Sequence, residues 1–309
     1  MRHVDRPSDL DIAQAAAGSQ ARPVAFGSLS YLYRRSFLMI NRAVLPILFA
    51  SMLLLSVPGQ PGAQQADTSM QIQRLVGENY LYSIDFLFFK RLAEGELRFT
   101  ETDRPNIYKA ELIGRTLGVA SWLAGNRTQT YTSLMELSPN GSLRSIEHHG
   151  KIVKHRWGKW QIRERRHLYD YDQGKVFEEK TKEGVLRSKQ GHDIPAGQHP
   201  VDMLTAFYNL RTGVYGPLAR GAHFLIPTYS GKGFVDMEVN VLTTEQHARQ
   251  EYFPSHGLLV SARIDPQIFD TDSGNLYFWL NEEGIPERGI VEDVIGLGDV
   301  RGYLEKEGI

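Results

Sequence analysis

The clearest structural signal in this chain is the segment from Phe234 to Leu242, which reads FVDMEVNVL. Apolar side chains stand at every second position from Val235 to Val241, and polar side chains stand between them. Successive side chains of a β-strand point to opposite faces, so the segment predicts a strand with one buried and one solvated face. Strands of this kind are typical of antiparallel sheets.

The same alternation recurs on both sides of this segment. It is found in residues 80–88, 97–99, 108–112 and 258–264, and an aromatic run at residues 276–280 also predicts a strand. Turn sequences separate these runs at Asn140-Gly141, Asp172–Lys175, Ser230–Gly233 and Glu283-Gly284. Asn-Gly tolerates the positive φ angles of a tight hairpin. The pattern therefore predicts a mainly β domain built from antiparallel strands.

Two segments interrupt the strand pattern and predict short helices. Pro200–Arg211 begins with a proline and is followed by Gly213, which are helix start and stop signals. Within it, Leu204 and Phe207 recur at helical spacing. Leu117–Ala124 is a second, shorter apolar candidate. We expect the first helix to lie against the sheet and to cover one side of it.

An uninterrupted apolar run of about 15 residues, Ala43–Val57, lies near the N-terminus. It is shorter than the roughly 20 residues that span a bilayer comfortably, and it suits the apolar core of a signal peptide. Arg34-Arg35 upstream of it resembles a twin-arginine export signal; alternatively, Met39 is the true start of a Sec-type signal. An uncleaved membrane anchor is a third interpretation.

These observations divide the chain into three parts. Residues 1–38 are predicted to be a disordered extension or to lie upstream of the true start. Residues 39–66 are predicted to be a signal peptide or a membrane anchor, and residues 70–309 a single β-rich domain. We therefore expect an exported periplasmic protein of a Gram-negative cell envelope, anchored to the inner membrane if the signal is not cleaved.

Composition narrows the classes of function. Hydrophobic residues make up 41% of the 309 residues and charged residues 23%, which is ordinary for a globular protein with a core. The net charge of −1 lacks the basic excess of a nucleic-acid-binding protein. Since the chain has no cysteine, disulfides, thiol nucleophiles and thiolate metal sites are excluded. No cofactor is predicted.

The polar residues show no established catalytic or metal-binding motif. His192, Asp193 and His199 lie in a predicted loop and are candidates for a metal site, but their spacing matches no known motif. Ser230 precedes a glycine-rich turn without the sequence of a hydrolase elbow. The sequence therefore predicts no catalytic residue and no metal ligand.

The most unusual local feature is the segment Lys151–Arg166, which carries seven Lys/Arg, two tryptophans and one acidic residue. Such a patch could bind an anionic lipid head group or polysaccharide, with the indole rings at the interface. The candidate residues are Lys151, Lys154, Arg156, Trp157, Lys159 and Trp160. The alternative is a solvated hairpin face whose charges are balanced by neighbouring acidic residues.

Three sets of residues, in order along the chain, resemble the domain of unknown function 3108, a family of exported bacterial proteins. They are Gly77-Glu78 with Gly95-Glu96, the segment Pro200–Arg211, and the run from Tyr277 through Pro286 to Leu304. Val201-Asp202 departs from the family's usual Asp-Pro order. The resemblance implies a curved antiparallel sheet, or open half-barrel, with one or two short helices packed on it, comparable with periplasmic lipoprotein carriers. The family has no established activity, so no catalytic residues are transferred.

The leading functional hypothesis is a non-enzymatic binding or carrier protein for an apolar or lipid-like ligand. The candidate ligand-binding residues are Tyr80, Tyr82, Phe86, Phe88 and either Phe278 or Trp279, with Trp279 taken as the candidate. The alternative interpretation of these aromatic residues is that they fill the core beneath the helix.

Two other classes of function remain open. One is an envelope enzyme or enzyme accessory that acts on glycans through loop residues such as His192, Asp193 and His199. The other is an interaction module of an envelope assembly with an exposed strand edge. The expected partners are a lipid or anionic envelope component and, peripherally, a membrane surface, with no nucleic acid. No oligomeric state is predicted.

Overall fold

The computed structural model describes residues 70–86, 89–118, 121, 126–156, 158–231, 233–268, 271–294 and 298–307. The predicted extension at residues 1–38 and the predicted signal peptide at residues 39–66 lie outside the described residues. In the part of the chain that is described, no helix is long and apolar enough to cross a membrane.

Within these residues the protein is mainly β, as predicted, and fourteen strands form one antiparallel sheet. The strands are β1 (Asn79–Phe86), β2 (Phe89–Glu101), β3 (Ile107–Thr116), β4 (Asn126–Leu137), β5 (Leu143–Arg156), β6 (Lys159–Asp170), β7 (Lys175–Lys182), β8 (Val185–Asp193), β9 (His223–Ser230), β10 (Gly233–Val241), β11 (Leu258–Arg263), β12 (Asn275–Leu280), β13 (Pro286–Val294) and β14 (Gly298–Glu307).

The strand order shows how the sheet is wound. It runs β8-β7-β6-β5-β4-β3-β2-β1-β14-β13-β12-β11-β10-β9. The last strand therefore pairs with the first, with Ser83 of β1 opposite Tyr303 of β14. The order is broken only between β8 and β9, which form the two edges, so the sheet does not close.

The sheet nevertheless curves until its two ends face each other. Tyr169 of β6 and Val176 of β7 pack against Tyr229 of β9, although these strands lie towards opposite ends of the strand order. An antiparallel sheet twists and coils by itself, and this contact brings the coil close to a barrel. The expected curved sheet, or open half-barrel, is confirmed.

Helix α1 (Met203–Arg211) lies in the segment that connects the two edge strands and packs inside the half-barrel. Leu204 and Tyr208, one turn apart, pack into a cluster from β1–β5, whereas Ala206 and Leu210 pack into a cluster from β9–β12. The predicted helix is confirmed. It begins later than predicted, because the residue before its N-cap, Val201, pairs with Thr228 in a parallel bridge.

A second core lies on the other face of the sheet. There α2 (Thr244–His247), which begins with a capping box at Thr243, leads into a loop that covers strands β11–β13. Leu259, Trp279 and Phe253 are buried together in this cluster. Strands β11 and β12 therefore have buried residues on both faces.

The opening segment behaves as its alternation predicts. In β10, Met237, Val239 and Val241 are buried in the core next to α1, whereas Val235 on the same face is 44% exposed at the rim of the interior. The predicted hairpin at Asn140-Gly141 joins β4 to β5, and Gly141 has a φ of 87°.

Two secondary-structure predictions fall partly outside the described residues. The alternating run at residues 80–88 is not one strand, because β1 ends at Phe86 and β2 begins at Phe89. In the predicted helix Leu117–Ala124, residues 118 and 121 have helical conformation, and residues 119–120 and 122–124 lie outside the described part.

Candidate ligand-binding cavity

The interior of the half-barrel contains an apolar cavity of about 260 Å³ between α1 and the sheet. Strands β1–β3 and β10–β14 supply its walls because alternate residues of each strand point inward. Side chains that line it include Tyr82, Ile84, Leu112, Phe207, Val239 and Phe278. The cavity is bounded almost entirely by hydrocarbon, so it is suited to an apolar group.

A second, charged cavity of about 640 Å³ adjoins the apolar one. The two cavities share Met203, Met237 and Ile264 as lining residues. The charged cavity lies between β4–β8 and the ends of β9–β11 and is lined by residues that include His148, Arg163, Arg165, His167, Lys180 and Tyr229. The interior therefore offers an apolar and a polar environment side by side.

The predicted aromatic residues of the N-terminal strand have different locations. Tyr82 lines the apolar cavity, and its hydroxyl donates a hydrogen bond to the carbonyl oxygen of Pro286 over 2.7 Å. Tyr80 is instead buried in the core with Phe99. Phe86 is partly buried and lines neither cavity, and Phe88 lies outside the described residues. Of this group, Tyr82 contributes to the cavity.

Of the two aromatic alternatives in β12, Phe278 faces the apolar cavity and Trp279 does not. Trp279 points to the opposite face, where it is 2% exposed and its indole N–H donates to the carbonyl oxygen of His256 over 2.7 Å. Trp279 therefore does not line the cavity, which corrects its prediction as a ligand-binding residue. Both faces of this strand are buried, so the apolar run does not reveal which residues point inward.

The basic segment at residues 151–166 forms the hairpin of β5 and β6, and alternation divides it between two faces. Gly150, Ile152 and Arg163 line the charged cavity. Lys151 alternates with the two inward residues of its strand and pairs with Glu164 at 3.1 Å. The basic residues therefore do not form one continuous surface patch.

The other predicted head-group residues lie around the tip of this hairpin. Trp160 is 62% exposed, and its ring lies tilted against that of His155 with a centroid distance of 4.4 Å. Lys159 is exposed and Lys154 is partly exposed. Arg156 is the last residue of β5, and Trp157 lies outside the described residues. Inward-facing Arg163 and Arg165, which were not among the candidates, contact the interior instead.

Asp202 lies at the junction of α1 and the charged cavity and is the N-cap of the helix. Its carboxylate accepts hydrogen bonds of 2.6 Å from the hydroxyls of Ser133, Ser145 and Thr205, and His148 Nδ1 is 3.4 Å away. Burial raises the pKa of this carboxyl, but the hydrogen bonds from His148 and the serines outweigh it and hold the pKa well below its usual range. Asp202 is therefore a satisfied, charged helix cap.

Glu178 organises the positive charges on the wall of the charged cavity. Its carboxylate lies 2.7 Å from Lys180 Nζ, 3.4 Å from His167 Nε2 and 3.5 Å from Arg165 Nε. Burial raises its pKa, but hydrogen bonds from His167 and Lys180 dominate and lower the pKa to about 2. Burial lowers the pKa of His167. The wall thus holds an ionised carboxylate paired with Lys180 and Arg165.

The residues proposed for an enzyme or metal site do not converge. His192 and Asp193 are consecutive in β8, where His192 lies against the ring of Tyr229 and Asp193 forms an ion pair with Lys175. His199 lies next to Tyr171, with a ring distance of 6.2 Å. Across the described residues, no group of three or more His, Asp or Glu side chains is arranged to hold a metal ion.

Comparisons with known proteins bear on the family of the chain. No curated protein matches the chain. Among solved structures, it is similar to the crystal structure of a beta-barrel-like protein of domain of unknown function DUF1849 from Brucella abortus. The two are 11% identical with a TM-score of 0.45, over 76% of this chain and 98% of that one.

The family comparison covers most of the β domain. The profile of the DUF3108 family, described as proteins of unknown function, matches residues 81–305. This range includes every described strand in whole or in part and the whole of α1. The resemblance inferred from the sequence landmarks is confirmed, and the chain belongs to the DUF3108 family.

Proposed function

We propose that the protein is a non-enzymatic binding or carrier protein for an apolar, lipid-like ligand in the bacterial periplasm. The observation that carries this proposal is the apolar cavity between α1 and the sheet, which opens beside a charged cavity. Ligand sites are typically preformed, mostly apolar concavities with a few polar groups at one side. The interior of this half-barrel has that composition.

The size of the apolar cavity limits the ligand. At about 260 Å³ it is slightly smaller than the ~300–1,000 Å³ of typical small-molecule sites, so it suits a slender hydrocarbon chain better than a fused ring system. Each methylene removed from water contributes about 0.8 kcal/mol, so a chain of several methylenes is enough for stable binding. The rest of the ligand would occupy the adjoining charged cavity.

The proposed location depends on the predicted signal peptide at residues 39–66. A carrier that collects a lipid-like ligand needs access to a membrane surface, and export to the periplasm provides such a surface on both sides. The exposed Trp160 at the tip of the β5–β6 hairpin is a candidate for this contact, because indole rings favour membrane interfaces.

A second candidate function, an interaction module, is favoured by edge strand β8. Val185 and Leu186 are 52% and 55% exposed at the start of this strand. Exposed strand edges bind other strands by β-augmentation. A module of this kind needs no ligand in the interior, so ligand binding distinguishes it from the carrier.

Filling the apolar cavity tests the carrier proposal. Ala262 is buried and lines this cavity, so Ala262→Phe places a ring in the space that the ligand would occupy. We expect this variant to lose binding of the uncharged chain-bearing probe dodecyl maltoside, measured by isothermal titration calorimetry below its micelle-forming concentration, while its far-UV circular dichroism stays unchanged.

The matched control is Ser261→Phe, in the same strand but with its side chain on the opposite face. It should bind the probe like the wild type, because it leaves the cavity unchanged. Equal probe binding by Ala262→Phe and the wild type would contradict a ligand site in this cavity, and so would wild-type protein that does not bind the probe.

A further inference from the structure

We infer that the charged cavity binds the anionic oxygen-bearing group of an amphiphile whose hydrocarbon chain lies in the neighbouring apolar cavity. This inference rests on the proposed function and adds the chemical class of the ligand, a phosphate- or carboxylate-bearing amphiphile. It is carried by side chains on the inner faces of β6 and β7.

The inner faces of β6 and β7 carry two successive cross-strand pairs of cationic residues, which form a ladder of positive charge. Arg163 lies directly opposite Lys182, and Arg165 lies directly opposite Lys180. Like charges placed opposite each other destabilise an antiparallel pair. Two such pairs lie in succession at the cavity: Arg165 and Lys180 are partly buried, and Arg163 and Lys182 are exposed at its rim. The repulsion is therefore most costly in the partly buried pair. Binding an anion would remove that cost.

Negative charge in the protein only partly neutralises this ladder. Glu178, which lies opposite His167, forms ion pairs with both Lys180 and Arg165. Among the described residues, no carboxylate lies within 4.0 Å of Arg163 or Lys182. Asp202 also lines the cavity, but its oxygens are already occupied by three hydroxyls and the helix N-terminus.

Further cations extend the ladder, and the remaining acids do not pair with it. Arg187 and Arg263 lie exposed at the rim of the same cavity, and Arg263 lies directly opposite Glu238 of β10. Asp236 and Asp265 also line it but lie more than 4.0 Å from every described Arg or Lys nitrogen. Six Lys/Arg and four Asp/Glu side chains line the cavity, and Glu178 adds a fifth carboxylate beside them. The lining therefore carries a small excess of positive charge.

The guanidinium of Arg165 reaches across the cavity, with its side chain 35% exposed. It lies against the backbone of Gly231 in the β9–β10 turn, where even a single methyl group would overlap it. Its Nη1 is 3.4 Å from Gln267 Oε1 on the opposite side of the cavity. A guanidinium fixed in this way presents a planar pair of donors, the geometry that carboxylate and phosphate oxygens accept.

A buried polar atom next to the ladder makes no hydrogen bond within the described part of the chain. His167 is 4% exposed and lines the cavity, and its Nδ1 has no hydrogen-bond partner in the described part of the chain. Buried polar atoms without partners are rare in folded proteins. A ligand in this cavity would lie beside it.

Because the ladder lies beside the apolar cavity, an amphiphile fits the site better than a free anion. Met203, Met237 and Ile264 form the boundary between the charged and apolar cavities, so a head group at Arg165 can continue into a chain beside Phe207. Binding would then combine charge-assisted hydrogen bonds with burial of the chain.

Isothermal titration calorimetry on the full-length protein tests this inference with three probes. These are dodecyl phosphate, dodecyl maltoside and inorganic phosphate, with both amphiphiles kept below their micelle-forming concentrations. The two amphiphiles carry the same chain, so their difference measures the head group. We expect dodecyl phosphate to bind about ten- to a hundredfold more tightly than dodecyl maltoside, and inorganic phosphate to bind more weakly than either.

The double substitution Arg163→Gln and Arg165→Gln should reduce the affinity for dodecyl phosphate by about tenfold or more and leave that for dodecyl maltoside unchanged. The matched control is Arg166→Gln, on the outer face of the same strand, where Arg166 pairs with Glu147. It should leave both affinities unchanged. Because Arg165 also pairs with Glu178, we expect the Tm of the double variant to fall somewhat. Its unchanged affinity for dodecyl maltoside separates loss of head-group binding from loss of folding.

The outcomes separate this inference from the proposed function. Equal affinity for both dodecyl compounds would overturn the anionic head group and retain the apolar carrier. Tight binding of inorganic phosphate alone would overturn the amphiphile and replace it with a free anion. An equal loss in the Arg166→Gln control would also overturn the inference, because it would show a general charge effect rather than a site.

Discussion

At the scale of single residues, buried carboxylates hold the interior together. Asp202 joins the start of α1 to Ser133 of β4 and Ser145 of β5, and Glu178 holds Lys180 and Arg165 in place. Both carboxyls have a lowered pKa because the hydrogen bonds they accept favour the ionised form. The charged form of each is therefore part of the folded structure.

This gives a prediction for the pH dependence of stability. The pKa of Glu178 falls from its ordinary value of 4.5 to about 2 in the folded state. A lowered carboxyl pKa stabilises the fold above the unfolded value, and this contribution is lost as pH falls towards the folded value. We expect the difference in unfolding free energy between wild type and Glu178→Gln to be constant above pH 5 and to shrink between pH 4.5 and 2.

Urea denaturation at a series of pH values measures this difference. His167 has a lowered pKa and loses its own stabilising contribution as pH falls below its ordinary value of 6.5. Because His167 is present in both proteins, taking the difference at each pH reduces the influence of its titration on the result. A difference that does not change between pH 5 and 2 would contradict the role assigned to Glu178.

At the scale of elements, one buried ion pair joins three distant parts of the chain. Arg211, the last residue of α1, makes two hydrogen bonds of 2.6 and 2.8 Å to the carboxylate of Glu78 and one of 3.1 Å to the carbonyl oxygen of Gly284. Its side chain is 5% exposed. These residues belong to, or directly adjoin, the three landmarks by which the sequence resembles its family. The pair fixes the end of the helix to the sheet.

Breaking this pair should be costly. Glu78→Gln leaves the Arg211 charge buried without its partner, so we expect a loss of about 3–5 kcal/mol in the free energy of unfolding, measured by urea denaturation. The matched control is Glu94→Gln, which breaks an ion pair with the exposed side chain of Arg91 and should cost less than about 1 kcal/mol. Similar losses in the two variants would contradict the role of the Arg211–Glu78 ion pair in fixing the helix to the sheet.

The elements were largely predictable from sequence because their signals are local. The alternation of β10, the Asn140-Gly141 hairpin and the helix after Pro200 each follow from neighbouring residues. The start of α1 was not predictable in detail, because the bridge between Val201 and Thr228 depends on the curvature of the whole sheet.

The candidate site was less predictable because it depends on register and on distant contacts. The basic run contained Arg163 and Arg165, but a charge count over the segment cannot assign its members to the two faces of a hairpin. The opposing Lys180 and Lys182 come from the next strand and became relevant only through its register. Trp279 was misplaced because its strand is apolar on both faces.

At the scale of the whole molecule, the fold combines a nearly closed sheet with an internal helix that does not fill it. The strand order leaves β8 and β9 unjoined, and α1 crosses between them. The remaining interior is divided into an apolar part and a charged part that meet at Met203. This division is the basis for proposing a carrier of an anionic amphiphile.

Native mass spectrometry is the most direct test of this central claim. The full-length chain would be produced in a Gram-negative host and purified without detergent, and lipids would be extracted from the same sample for identification. We predict a reproducible bound species that is an anionic amphiphile and that is absent from the Ala262→Phe variant. A wild-type protein that carries no ligand, and takes none up when incubated with the host's extracted lipids, would contradict the account.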